Sequence, residues 1–524
     1  MQSTATKLVV DREREIEAFI PKEYWTITVP VSLKGEKKPI LARFHGIGGK
    51  KKELTSSEDA TAIKERIKDA EFVVESANYT DKTQQPSPPF TTSTLQQEAS
   101  RKLGFTAQRT MSAAQQLYEG VAVPGQGTLG LITYMRTDSL RINPDSQNAA
   151  RAIIEEKYGK EFVHKTDRNY KTGKNAQDAH EAIRPTVPEI EPEKIKDAVS
   201  ADLYKLYKLI WERFIASQMS NAVYSTLNVN FDANGASFHA SARTVKFTGY
   251  RAVYIDGSEE AEEKDAKKLP VLEKGMKLTA GEILEEQHFT EPPARYSEAT
   301  LIKTMEENGI GRPSTYAPTI TTIIGRGYVA REKRMLKATE LGTIVTDIMA
   351  ENFSDIVDID FTANMEQQLD DIEEGGNWVE VIDRFYKPFQ IVVEKAEKEI
   401  EKIEIKDEVS DEICEKCGRN MVIKLGKYGK FLACPGFPEC RNAKPILKDT
   451  GVKCPKCGGR IVERRSQKGK KYFSCEFAPK CDFLLWDEPV STPCPKCGSV
   501  MSKKYLKKGS ITICSNPDCE SNKK

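Results

Sequence analysis

The sequence predicts an α+β multidomain chain that ends in a series of small metal-bound modules. Three observations lead there. The 524 residues are 39% hydrophobic and 30% charged, enough at roughly 100–200 residues per domain for three to five domains with sizeable cores. Helix-period and strand-period segments alternate in blocks before residue 410. All 12 cysteines lie between Cys414 and Cys519. No apolar run approaches the roughly 18 residues of a membrane span. Met1 to Glu17 shows a mixed acidic and basic helix pattern with no signal-peptide layout, so a soluble chain without a membrane partner, acting in the cytoplasm, is expected.

The elements follow in chain order. Residues 7–19 place Leu8, Ile16 and Phe19 at helical spacing, and Tyr24–Val31 and Ile40–Phe44 read as strands. Residues 94–120, 146–158 and 199–219 read as helices. Thr226–Phe231 alternates, turns at Asp232-Ala233-Asn234-Gly235 and resumes at Phe238–Ala242, a hairpin signal. Helices dominate from 297 to 402. Residues 403–413 are charged without long apolar periodicity and read as a linker.

The near-neutral average charge of +1 hides an asymmetry. Residues 411–524 hold 24 Lys and Arg against 12 Asp and Glu, a formal +12; residues 1–410 hold 55 against 66, a formal −11. Twelve thiolates holding three Zn²⁺ would lower the tail by six charges and still leave it basic. Near-neutrality is therefore no argument against a polyanionic partner.

The cysteines form three sets whose first members stand 40 residues apart: Cys414, Cys417, Cys434, Cys440; Cys454, Cys457, Cys475, Cys481; Cys494, Cys497, Cys514, Cys519. Each set is two knuckles separated by 16 or 17 residues, room for a hairpin that brings the pairs together. Four thiolates suit tetrahedral Zn²⁺ with no position open for water, so three structural zinc ribbons are expected. Disulfides fit poorly with a cysteine-free acidic body, and the second-knuckle spacing is unlike ferredoxin runs. Basic and aromatic residues alternate between the knuckles at Lys427-Tyr428-Gly429-Lys430-Phe431, Lys470-Lys471-Tyr472-Phe473 and Lys503-Lys504-Tyr505, joined by Phe437, Phe477 and Trp486. Rings that stack on bases beside cations that hold phosphates bind unpaired strands; the bland alternative is that single rings fill small ribbon cores.

In the body, Gly130-Leu131-Ile132-Thr133-Tyr134-Met135-Arg136-Thr137-Asp138-Ser139 sets a tyrosine two residues from an arginine. A tyrosine can act as a covalent nucleophile when its charge is supported, and an arginine can offset charge on a phosphate. On spacing alone the pair also occurs by chance.

Resemblance adds to this. The stretches Pro88–Gln97, Thr133–Ser139, Ala179-His180-Glu181-Ala182-Ile183-Arg184-Pro185 and Gly309-Ile310-Gly311-Arg312-Pro313-Ser314-Thr315-Tyr316-Ala317 resemble the type IA DNA topoisomerases of the bacterial topoisomerase I group. So do Arg326-Gly327-Tyr328-Val329, Thr339-Glu340-Leu341-Gly342 and Phe361-Thr362-Ala363-Asn364-Met365-Glu366. The motifs keep the family's order over residues 2–405, with tetracysteine ribbons behind them.

The resemblance implies ATP-independent relaxation of negatively supercoiled DNA by single-strand cleavage, strand passage and religation. Tyr134 would be the nucleophile that holds a 5′ end as phosphotyrosine, Arg136 would hold the scissile phosphate, and His180 would join the hydrogen-bonding network. Arg312, Ser314, Thr315 and Tyr316 match a strand-gripping motif, with Arg326 a further phosphate contact or else a solvated helix-end charge. Single-stranded and negatively supercoiled DNA are the implied partners of a monomer at the nucleoid, and RNA polymerase is a second candidate for the tail. A rival reading is a non-enzymatic zinc-ribbon protein that only grips single-stranded DNA.

The implied architecture is a torus segment. Residues 1–69 and 296–405 would form a helical base, 70–93 and 220–295 a β-rich arch, and 94–219 the tyrosine domain. A linker at 406–413 would lead to ribbons at 414–446, 447–490 and 491–524. The family's Mg²⁺ is bound by an acidic N-terminal Toprim domain that precedes a Gly-Arg-x-Gln turn. Here Gln2 stands where that Gln belongs and Lys7 fits a commonly basic position, but nothing earlier is present. Asp358-Ile359-Asp360, the body's lone Asp-x-Asp, reads as a solvated turn before a helix. The expectation is a truncated form, or half of a split enzyme, that binds single strands and relaxes supercoils poorly.

Overall fold

The computed structural model describes the chain apart from residues 34–38, 172–179, 258–270, 401–407, 427–428, 466–470, 507–508 and 523–524. The chain divides into two units, Met1–Ile400 and Glu401–Lys524. Three cores organise the first.

The first core surrounds the helix Ala201–Gln218. Its residues Leu203, Leu206, Tyr207, Ile210, Trp211, Phe214 and Ile215 are all buried, and a helix whose apolar face is this broad belongs at a centre. Around it pack Thr92–Glu98, Ala107–Glu119 and Pro144–Tyr158, which contribute Leu95, Ala114, Leu117 and Ile154. The helix read over 94–120 is interrupted. A π-turn spans Ala99–Leu103, Gly104 follows at φ 66°, and Thr106 caps a new helix by accepting from the Arg109 amide at 3.2 Å. A left-handed glycine ends one helix and a hydroxyl starts the next.

The second core lies inside an antiparallel sheet of eight strands. In spatial order they are Leu284–Phe289, Glu23–Ser32, Lys277–Ala280, Phe72–Gln84, Ala222–Ala233, Ala236–Phe247, Ile40–Ile47 and Lys50–Lys51. Glu23–Ser32 also pairs with Ile40–Ile47, so the sheet closes on itself and removes most of its edges. Val29, Val31, Phe72, Val74, Val229, Phe231 and Phe238 point inward, and the helix Ser57–Ile67 adds Ala60, Ile63 and Ile67. The anticipated hairpin turns at Asn234-Gly235, both left-handed at φ 51° and 74°, as a two-residue hairpin requires.

The third core joins the helix Gln2–Glu17, through Ala5 and Val9, to Glu298–Glu307, Tyr316–Gly325 and the hairpin Val329–Glu332/Met335–Ala338. The expected 1–69 block therefore divides. Only its helix joins the C-terminal helices, while residues 23–67 complete the closed sheet, because Val29 and Val31 alternate inward and their strand needs partners on both sides.

The second unit contains three antiparallel sheets built on the repeat. Glu408–Ile413, expected within the linker, is instead the first strand of the first ribbon and pairs with Asn420–Gly426. Charge along a two-sided exposed strand hid its pairing. Lys427, Tyr428 and Lys470 lie outside the described residues.

Candidate active site and metal centres

The segments that carry the motifs are laced together by their backbones. The Thr92 amide donates to the Thr137 carbonyl at 2.9 Å, and the Thr92 hydroxyl donates to the Met135 carbonyl at 2.6 Å. The Thr133 amide donates to the Arg184 carbonyl at 3.0 Å, the Thr133 hydroxyl to that of Ala182 at 2.7 Å, and the Ile183 amide to the Phe90 carbonyl at 2.8 Å. Thus 88–97, 133–139 and 180–185 form one platform. Arg213 anchors it from the central helix: its guanidinium donates to the Pro88 carbonyl at 2.6 Å, pairs with Asp256 at 2.8 Å and lies 4.9 Å from the centre of the Phe90 ring.

Residues 134–139 alternate. Met135, Thr137 and Ser139 are buried, while Tyr134, Arg136 and Asp138 face outward. The Tyr134 ring meets Tyr118 edge-on at 5.4 Å and His180 at 5.3 Å with a 31° tilt. Arg136 is exposed and has no ion-pair partner among the described residues.

Tyr134, Arg136, Asp138 and His180 line one wall of a cleft of 520 Å³, and Arg312, Ser314, Glu366, Asp370 and Glu373 line the other. The second wall comes from the loop before Tyr316–Gly325 and from one face of the helix Ile359–Glu373. Gly311, at φ 85°, lets that loop turn, and an added Cβ would lie 2.9 Å from the Thr315 hydroxyl. Arg312 pairs with Asp370 and lies 3.8 Å from Glu366. Burial raises the Glu366 carboxyl above its ordinary pKa even though Arg312 opposes the shift. Below the cleft, the Ser93 hydroxyl donates to Glu306 at 2.5 Å, and burial again raises that carboxyl.

The structure thus brings together Tyr134, Arg136, His180, Arg312 and Ser314. It separates three other expected contacts from them. Thr315 spends its hydroxyl on its own turn, accepting from the Arg312 amide at 2.8 Å and donating to the Arg312 carbonyl at 3.0 Å. Tyr316, expected to grip a strand, is 5% exposed and sits in the third core. Arg326 caps the far end of its helix and donates to Gln2 at 2.9 Å. The cleft acids Asp138, Glu366, Asp370 and Glu373 were not singled out, although the last three recur at helical spacing and so share a face. Asp358 caps the helix Ile359–Glu373 by accepting from the Phe361 amide at 3.1 Å, which agrees with the reading of Asp358-Ile359-Asp360 as a helix start.

In the second unit each cysteine set converges, with the four sulfurs of a set all within 4.8 Å of one another. Cys414 and Cys440 are 3.7 Å apart, Cys417 and Cys434 3.2 Å; in the second set the Cys454–Cys481 and Cys457–Cys475 distances are 3.7 and 3.3 Å. Cys494–Cys519 and Cys497–Cys514 measure 3.7 and 3.4 Å. Zinc at about 2.3 Å from each of four sulfurs would set them about 3.8 Å apart, so the residues fit three structural Zn²⁺ ions. At the first cysteine of two sets a local donor favours the thiolate: the Asn442 amide lies 3.3 Å from Cys414 Sγ and lowers that thiol to about 6. The Ser521 hydroxyl does the same for Cys494, also to about 6. Bound zinc would contribute folding free energy to ribbons with very small cores. Among the described residues no carboxylates converge as a metal site, so magnesium is assigned no ligands and no step here.

The chain resembles known proteins over most of its length. The family described as DNA topoisomerase matches residues 1–383, and the topoisomerase DNA-binding C4 zinc finger matches 411–449, 451–490 and 492–524. Full-length topoisomerase I from Thermotoga maritima, solved in a monoclinic crystal form, is 36% identical with a TM-score of 0.67, over 90% of this chain and 72% of that one. With the platform, the cleft and three C4 fingers in one chain, this protein belongs to the bacterial-type, type IA DNA topoisomerases.

Proposed function

We propose that the cleft is where one DNA strand is broken and resealed. The Tyr134 phenol oxygen attacks a backbone phosphorus and gives up its proton. The bond to the neighbouring 3′ oxygen breaks, and that oxygen leaves as a 3′ hydroxyl. The 5′ end stays on Tyr134 as a phosphodiester, so no nucleotide is needed to reseal the strand. Arg136 meets the scissile phosphate, His180 positions the tyrosine ring, and Arg312 and Ser314 hold the neighbouring backbone. After strand passage the 3′ hydroxyl attacks in reverse, and negatively supercoiled DNA relaxes. The ribbons hold the single strand. A monomer at the nucleoid, with RNA polymerase as a second candidate partner of the basic tail, completes the reading.

The observation that carries this reading is the convergence of Tyr134, Arg136, His180, Arg312 and Ser314 on one cleft. Mixing the chain with end-labelled single-stranded DNA and magnesium, then denaturing it, tests the chemistry. A covalent adduct that is absent from Tyr134→Phe supports the reading. Tight strand binding with no adduct leaves the non-enzymatic strand binder. Supercoiled plasmid in a parallel reaction tests the sequence-based expectation that the chain alone relaxes DNA poorly.

A further inference from the structure

The three ribbons repeat in sequence but not in charge around their metal-binding knuckles. In the second, knuckle Lys456 pairs at 2.7 Å with Asp482, the residue after the last cysteine. In the third, Lys496 lies 3.7 Å from Glu520 at the corresponding place. In the first ribbon that place holds Arg441, opposite knuckle Lys416. Arg419 adds a third cation where the other ribbons have Gly459 and Ser499. The acid beside Lys416, Glu415, is engaged by Lys444.

Lys416, Arg419 and Arg441 have no ion-pair partner among the described residues, and they rim a concavity of 490 Å³ together with one acid, Glu439. Phe437 stands beside it, 70% exposed, with the Arg441 guanidinium 5.9 Å from the ring centre. The bland explanation is that the cations offset the negative charge of a zinc–tetrathiolate centre. That charge would be the same in all three ribbons, yet the other two pair their knuckle lysine with an acid. Among the described residues, the first ribbon gathers three cations without an acidic partner beside an exposed ring, whereas the second pairs its knuckle lysine and offers Lys480 three residues from exposed Phe477. Several donors around one ring suit a phosphate and its attached base.

We propose that the knuckle face of the first ribbon is a backbone-phosphate subsite for single-stranded DNA, with Lys416, Arg419 and Arg441 as its donors and Phe437 as a stacking platform. The subsite rests on the reading that the ribbons bind single strands. It sets the first ribbon apart by the number of donors on its knuckle face, where the other two pair the knuckle lysine with an acid.

Arg441→Asp gives the first ribbon the pairing of the second, removing one donor and engaging Lys416. The zinc-loaded full chain is titrated with labelled oligodeoxythymidylate across a range of salt, using fluorescence anisotropy. Lys453→Asp, an equal charge change at an exposed site of the second ribbon, is the control, and metal content confirms that every variant keeps its zinc. Arg441→Asp is expected to weaken binding about tenfold more than the control in about 0.1 M salt, and to flatten the log–log salt slope by about 1.4, for two lost phosphates. Asp482→Arg, the reciprocal change, is expected to strengthen binding. Equal losses in Arg441→Asp and Lys453→Asp would overturn the subsite alone. A selective loss with an oligoribonucleotide but not with DNA would also overturn it. Absence of strand binding by the unaltered chain would overturn the functional reading and the subsite together.

Discussion

The rings of Tyr134 and His180 lie with centroids 5.3 Å apart and planes tilted by 31°, although they come from separate segments of the platform. The histidine restricts where the tyrosine ring can sit. His180→Ala is expected to lower adduct formation by about a hundredfold, the scale of a small misplacement of a reacting group. His180→Phe keeps a ring there and is expected to recover part of that loss. Quantifying adduct yield and strand affinity side by side checks this, since affinity should hold within about twofold.

Arg312 is held by Asp370 and Glu366. A phosphate entering the cleft must compete with those carboxylates. Asp370→Asn is expected to tighten strand binding and steepen its salt dependence by about 0.7. Arg312→Ala is expected to weaken binding and to destabilise the first unit by about 1–3 kcal/mol, because Glu366 then stays buried without its cation. Anisotropy titrations and thermal unfolding of the same proteins separate the two effects.

Burial raises the Glu306 carboxyl above its ordinary value, with the Ser93 hydroxyl opposing the shift. The folded state therefore favours the protonated acid. Its contribution to stability is fully present below the unfolded pKa and is lost as pH rises through the raised folded value. Glu306→Gln is expected to flatten the fall in melting temperature over that window. Melting curves from mildly acidic to neutral pH measure it, and an unchanged slope would count against the assignment.

Zinc removal should act on the second unit by itself. A strong chelator is expected to extract about three zinc ions per chain and expose residues 414–519 to protease, while Met1–Ile400 keeps its folded core. Metal analysis with mass mapping of the fragments checks both halves.

The platform segments were legible through the motifs they share with a known family, and the hairpin of the closed sheet through its Asn234-Gly235 turn. The structure adds the capping box of Thr91 and Thr94 at the start of Thr92–Glu98 and the alternation of buried and exposed residues around Tyr134. The break at Gly104 and the strand at Glu408–Ile413 were less legible. A lone glycine fits several roles, and a charged strand alternates weakly when neither face is deeply buried.

By itself, the sequence determined the three tetracysteine repeats and several helices and strands, and its family motifs held five of the residues that meet in the cleft, Tyr134, Arg136, His180, Arg312 and Ser314. Ligand spacing, caps and hydrophobic period act within a few residues of chain. The tertiary structure decided which side chains remain available. Tyr316 went to the core and Thr315 to its own turn, Arg312 was paired with Asp370, and residues 23–67 joined the closed sheet rather than the helical base. Those outcomes depend on which faces pack together and which distant carboxylates arrive opposite a cation, and no local pattern encodes that.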